Sequence, residues 1–229
     1  SSLGGTLENV VTDASSGTGD IPQVPDDGVD TGNLPNTADD EPTIVTVGGD
    51  SGPTGSPTLV LVKRITNALR NGASITGVNF GTFVDDPTSD DDTLPGWSQL
   101  STGALVGVSQ LDQPLESGDV VEYTIYFLAG GTTLKDVQLC DPIPSGTVFV
   151  PNGFAGNRGI VLNQNGANVT ITNAADTDQG QFFSPLEPVT SPPCPNPSEP
   201  QGAVLVNLGD IEPTAPNNVG FVRFRIRIE

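Results

Sequence analysis

The chain has 229 residues and a formal net charge of -20, with 28 acidic against 8 basic side chains and no histidine. So few cations leave no surface for nucleic-acid phosphates, and the lack of histidine removes the commonest general base. No run approaches the ~20 apolar residues of a membrane-crossing helix, so no transmembrane segment is expected. With Gly 28 and Pro 21 cutting the chain into short Val, Ile, Thr and Phe runs, strands are favoured over helices. The absence of methionine implies that Ser1 follows a removed segment, with an export signal peptide as the simplest source and a fragment boundary as the alternative.

Residues 1–56 carry ten Asp or Glu and no Lys or Arg, among Gly, Pro, Thr and Asn, which reads as an acidic arm. Two β-branched islands interrupt it, at 6–12 and 43–47, and both are expected to be short strands. Such composition does not supply a core of its own. Leu7, Asn9, Val11, Ile44, Val45 and Val47 are therefore expected to lie against something else, in the same molecule or in a neighbour.

From residue 57 the texture becomes that of a packed domain ending at residue 229. Residues 58–65 read as its first core strand, and 67–117 as a long, turn-rich insert. After the turn signal Ser117-Gly118-Asp119, the residues Val121, Tyr123, Ile125 and Phe127 alternate with Glu122, Thr124 and Tyr126, the pattern of a half-buried strand. Gly130-Gly131 then turns the chain, and 134–140 is expected to return as its hairpin partner. Further strands are predicted at 147–150, 159–162, 168–172 and 203–208. The last, 221–229, places Val222, Phe224, Ile226 and Ile228 on a core face and Phe221, Arg223, Arg225 and Arg227 on the other. Nothing follows that strand, so its edge is expected to be open to a partner.

Regular short strands with turns and no helical period imply an all-β, immunoglobulin-like Greek-key β-sandwich, here with an extended N-terminal arm. Cys140 and Cys194, an even pair in an acidic, Gly- and Pro-rich β chain, are expected to form a disulfide that closes a long loop. Both features point to an extracellular or cell-surface protein.

The runs Gly118-Asp119-Val120-Val121-Glu122-Tyr123-Thr124-Ile125-Tyr126-Phe127 and Val137-Gln138-Leu139-Cys140-Asp141-Pro142-Ile143-Pro144-Ser145-Gly146, with Leu61-Val62-Lys63, resemble the conserved repeat domain of bacterial surface proteins. That family is a set of Ig-like sandwiches of uncharacterised function. The long insert before Gly118 and the two cysteines depart from its pattern. In such repeats the strand equivalent to 221–228 is followed by a closing Asn-Thr-Ala segment, an acidic loop and a final Thr-Val-Thr-Val strand. Here similar residues stand at the front, in Leu7-Glu8-Asn9-Val10-Val11-Thr12-Asp13, Asn36-Thr37-Ala38-Asp39-Asp40 and Thr43-Ile44-Val45-Thr46-Val47. The resemblance implies three alternatives: the arm closes its own domain, belongs to a preceding one, or completes the next molecule's sandwich.

Burying Leu7, Val11, Ile44 and Val47 at about 1.5–3 kcal/mol each would offset the ordering of a short strand. The functional expectation is a structural subunit of an extracellular filament, with the chain itself as partner. Each subunit would donate its N-terminal strands beside the acceptor strand Val222, Arg223, Phe224, Arg225, Ile226, Arg227 and Ile228 of the next. The alternative is a monomeric adhesin or ligand-binding module.

Catalysis is not expected, since no nucleophile elbow, phosphate loop or zinc spacing occurs. The cluster Asp85, Asp86, Asp90, Asp91 and Asp92 is the candidate metal site, with calcium as the candidate cofactor and a solvated acidic loop as the plainer reading. Lys63 is a candidate for an internal amide cross-link to Glu122 or Asp141, of the kind found in other Ig-like surface proteins, against an ordinary solvated or salt-bridged lysine. Trp97 is expected in the core, and Asn168-Val169-Thr170 fits a glycosylation sequon.

Overall fold

The computed structural model describes residues 58–86, 90–186, 194 and 201–229, together with the backbone of Val11–Asp13 and Ile44–Val47. Leu7 and Asn9 lie outside the described residues. The protein is all-β, with two antiparallel-paired sheets and, among the described residues, no α-helix.

Among the described residues, twelve strands run in chain order: β1 (Val11–Asp13), β2 (Ile44–Val47), β3 (Thr58–Arg70), β4 (Ala73–Ser74), β5 (Val120–Gly130), β6 (Leu134–Pro142), β7 (Thr147–Phe149), β8 (Ile160–Gln164), β9 (Ala167–Ile171), β10 (Gly180–Phe183), β11 (Ala203–Ile211) and β12 (Val219–Ile228). The smaller sheet has the order β1-β2-β6-β11-β10, and the larger β4-β3-β5-β12-β8-β9, with β7 also on β12. The core between them takes Leu61, Ile65, Val121, Tyr123, Ile125, Phe127, Val222, Phe224 and Ile226 from the larger sheet. Val137, Leu139, Val204, Val206 and Leu208 face them from the smaller one.

The alternation holds for β12, where Val222, Phe224 and Ile226 are fully enclosed and Arg227 is exposed, but the half-buried reading of β5 is corrected: Glu122, Thr124 and Tyr126 are buried as well, because the insert and the arginines of β12 cover that face. Two pairing expectations are corrected. The residues of β5 and β6 do not form a hairpin; β5 lies between β3 and β12, whereas β6 lies in the opposite sheet between β2 and β11. Both strands carry large apolar residues facing the same core, so the turn at 131–133 carries the chain across the sandwich rather than back along one sheet.

The other correction concerns the last strand. Its edge is not open: β5 pairs along it from Val219 to Arg227, and its second edge is taken by β8 at Phe221–Phe224 and by β7 at Ile226–Ile228. The acceptor role expected for Val222, Arg223, Phe224, Arg225, Ile226, Arg227 and Ile228 therefore fails. Being last in the chain does not place a strand at the edge, because its neighbours came earlier.

The long insert is a cover for the outer face of the larger sheet. Short 3-10 turns at Asp91–Thr93 and Pro95–Gln99 bring Trp97 and Leu100, with Leu105, onto Val62, Tyr126, Val219 and Phe221. Trp97 is buried, as expected, and its indole Nε1 donates to the Asp91 carbonyl at 2.6 Å. The Tyr126 hydroxyl donates to the Val106 carbonyl at 3.1 Å, and Val108 forms a two-hydrogen-bond bridge with Ile65 at the edge of β3. Tethering of this kind satisfies backbone groups that an unpaired edge would expose.

Candidate functional site

The N-terminal strands meet the domain at β6. On one side β6 pairs with β11 over its length; on the other β2 runs antiparallel to it with Ile44 opposite Cys140, Val45 opposite Leu139 and Thr46 opposite Gln138. The partner of Val11–Asp13 is β2, in parallel register from Val11 and Val45 to Asp13 and Val47. The arm strands thus extend the smaller sheet, and none of them lies beside β12. Ten residues, 48–57, separate β2 from β3, which belongs to the other sheet.

Successive residues of β6 point to opposite faces, which gives neighbouring positions unlike roles. Cys140 faces out and is bonded to Cys194, both buried beside Ala203, with their Cα atoms 5.7 Å apart. Asp141 faces in and is fully enclosed. Across the core, Lys63 of β3 points at it from the larger sheet, and its Nζ donates to Asp141 Oδ1 at 3.0 Å and Oδ2 at 2.9 Å. The ammonium also lies 4.7 Å from the Tyr123 ring centroid and 6.0 Å from that of Phe224. Lys63 is therefore a core residue, not a solvated strand-edge lysine.

Glu122, the other carboxylate considered for Lys63, is on the opposite face of the larger sheet. It accepts from Thr66 Oγ1 at 2.9 Å and from Arg225 Nε at 2.8 Å, with Arg223 Nε 3.5 Å away. Arg223 also donates to Thr124 Oγ1 at 2.8 Å. The basic row is thus satisfied at Arg223 and Arg225 by its own sheet. With Glu122 buried and the two arginines about a quarter exposed, these pairs tie β12 to β5.

The aspartate cluster is organised around a cation that the protein itself supplies. Arg64, 1% exposed, donates through Nη2 to Asp92, and its Nη1 lies 3.6 Å from Asp86 Oδ2. The Asp86 amide donates to Asp92 Oδ2 at 2.9 Å. Burial pushes the Asp92 carboxyl above its ordinary range, against the lowering effects of the Asp86 amide and the Arg64 guanidinium. Among the described residues, no three acidic or cysteine side chains converge as a metal-ligand set. Of the five residues proposed for calcium, Asp85, Asp86, Asp90, Asp91 and Asp92, the structure brings Asp86 and Asp92 together on Arg64.

The chain matches no family model, no curated protein and no solved structure. Its function is therefore argued from this geometry.

Sequence reasoning named Asp141 as one partner for Lys63 but missed the core placement of that lysine, which its spacing could have revealed: Leu59, Leu61, Lys63 and Ile65 share a face by alternation. It also missed the fork of Arg70 onto Asp119, with Nε to Oδ1 at 3.0 Å and Nη2 to Oδ2 at 2.6 Å. That fork, with the Glu116 amide on the same carboxylate at 2.8 Å, explains the Gly118-Asp119 turn and holds the Asp119 carboxyl below its ordinary range. Gly118 supplies the φ of +93° that a side chain would strain.

Proposed function

We propose that the protein is a non-catalytic, extracellular structural subunit: an Ig-like sandwich, of the kind the conserved bacterial surface repeats resemble, assembled by strand exchange between molecules. The acceptor is the β6 edge, and the donor is β2 with β1 behind it. The observation that carries this reading is the pairing of a short, β-branched strand from a core-less acidic arm onto β6, through backbone hydrogen bonds that any copy of the arm can make. A ten-residue connection is long enough to let β2 reach a neighbour, and a head-to-tail exchange does not close on itself, so it yields a filament. The Cys140–Cys194 disulfide supports a location outside the reducing cytoplasm.

A self-closed monomer, serving as an adhesin or binding module, is the second reading. It is favoured by the fact that one chain suffices to complete the sheet. Thr46 lies opposite Gln138 in the register, so the pair Thr46→Cys and Gln138→Cys separates the two. After oxidation at high protein concentration, strand exchange gives a ladder of covalent oligomers on a non-reducing gel and fibres in electron micrographs. A single monomer band at every concentration would refute the assembly and leave the self-closed form. Deleting residues 1–50 sharpens the distinction: the exchange reading expects a soluble monomer that no longer polymerises and that accepts a peptide of residues 41–50.

A further inference from the structure

We infer that Lys63 and Asp141 are the two halves of an intramolecular amide cross-link that staples the sheets together. The inference is independent of how subunits associate. Its basis is the placement of a lysine, 7% exposed, and an aspartate, 0% exposed, from opposite sheets and 78 positions apart, in mutual contact inside the core. Both carboxylate oxygens lie within 3.0 Å of Nζ, which puts Cγ in the ~3–3.5 Å range of a near-attack pair once the carboxyl turns its face to the nitrogen.

Burial supplies the driving force. Enclosing an ammonium and a carboxylate costs several kcal/mol per ion, which their mutual attraction only partly offsets. An amide carries no charge and needs no such compensation. Alignment of the reacting groups corresponds to an effective molarity on the order of 10⁵–10⁸ M, far above that of water, and the rings of Tyr123 and Phe224 exclude the water that would reverse the reaction.

The chemistry balances with no co-reactant. The ammonium passes one proton to the carboxylate, giving an amine and a carboxylic acid. The amine lone pair attacks Cγ and forms the C–N bond. The C–OH bond then breaks, and the hydroxyl leaves with a second nitrogen proton as one water. The amide retains one N–H and one C=O in place of two charges.

Once formed, the bond changes what resists separation of the sheets. Without it, the sandwich faces are held by apolar contact and by the ion pair. With it, β3 of the larger sheet and β6 of the smaller are covalently joined, and β6 is already anchored on its other face by Cys140–Cys194.

The test is intact mass spectrometry of the folded full chain after reduction and denaturation, followed by peptide mapping. The expected result is a mass about 18 Da, one water, below that of the sequence, with the Lys63 peptide joined to the Asp141 peptide. Lys63→Arg, Lys63→Met and Asp141→Ala should each show the full mass of their own sequences. Asp141→Asn keeps the acyl group and should instead lose ammonia, about 17 Da, with the same two peptides joined. Because the decisive reading is made on the unmutated protein, poor folding of a variant does not blunt it. A folded chain at its uncorrected sequence mass would overturn the proposal. So would a water loss that persists in Lys63→Met and maps to a cyclised Asp27-Gly28.

Discussion

Replacing Arg64 by Met keeps most of the buried stem and removes the guanidinium that faces Asp92 and Asp86. The Asp92 side chain is fully enclosed, so its charge loses the guanidinium that faces it in a poorly solvated place. Breaking a buried pair by removing one partner costs about 3–5 kcal/mol, which at roughly 2–4 °C per kcal/mol in a chain of this size lowers Tm by roughly 6–20 °C. The penalty must also depend on pH. Burial already raises the Asp92 carboxyl above 3.8, and removing Arg64 deletes one of the influences that lower it. A carboxyl raised in the folded state contributes stability below its unfolded value, and loses that contribution as pH rises through the folded value. The difference between Arg64→Met and the unmutated protein should therefore be large at pH 7 to 8 and shrink toward pH 4, as urea melts at each pH would show. The double variant Arg64→Met with Asp92→Asn should recover much of the loss. A penalty below about 1 kcal/mol at pH 7, or one equal at both ends of the range, would refute the placement of a charge cluster at the centre of the acidic loop.

Asp119→Asn should lower the urea midpoint at pH 7 by weakening the fork from Arg70. Because the Asp119 carboxyl is held below 3.8, its contribution is present above that pH and disappears as pH falls through the folded value, so the two proteins should converge under acid. Loss of the disulfide in Cys140→Ser with Cys194→Ser releases a loop of separation 54, worth about 4 kcal/mol by chain entropy, and should lower Tm by roughly 8–16 °C in calorimetry. Gly220→Ala places a Cβ 2.1 Å from the Asn163 carbonyl oxygen and 2.5 Å from Phe127 Cζ. That overpacking between β5 and β8 should cost about 1–3 kcal/mol in chemical denaturation, and an unchanged midpoint would contradict the central position of β12.

Most strands, and the residues of each that face the core between the sheets, were legible in the amino-acid sequence, whereas the burial of the second face of β5 was not. The alternation at Val121–Phe127 and Val222–Ile228 is a local property, because successive side chains of an extended chain point opposite ways whatever lies beside it. The pairing of Cys140 with Cys194 was equally legible, since the chain has two cysteines and no other choice of partner within itself. Neighbours were not legible in this way. Turn residues after β5 suggested a hairpin, yet two strands that both carry a core face can pair edge to edge or oppose each other across the sandwich, and only the packing of the whole chain chose the second. The same non-local choice put β5 and β8 on either side of β12, so the open edge inferred from its place in the chain does not exist. It also brought Lys63 onto Asp141 and Arg64 onto Asp92, pairs 78 and 28 positions apart. Charge patterning reports composition along the chain, whereas a buried ion pair depends on which sheet faces which, and that is decided by tertiary structure alone.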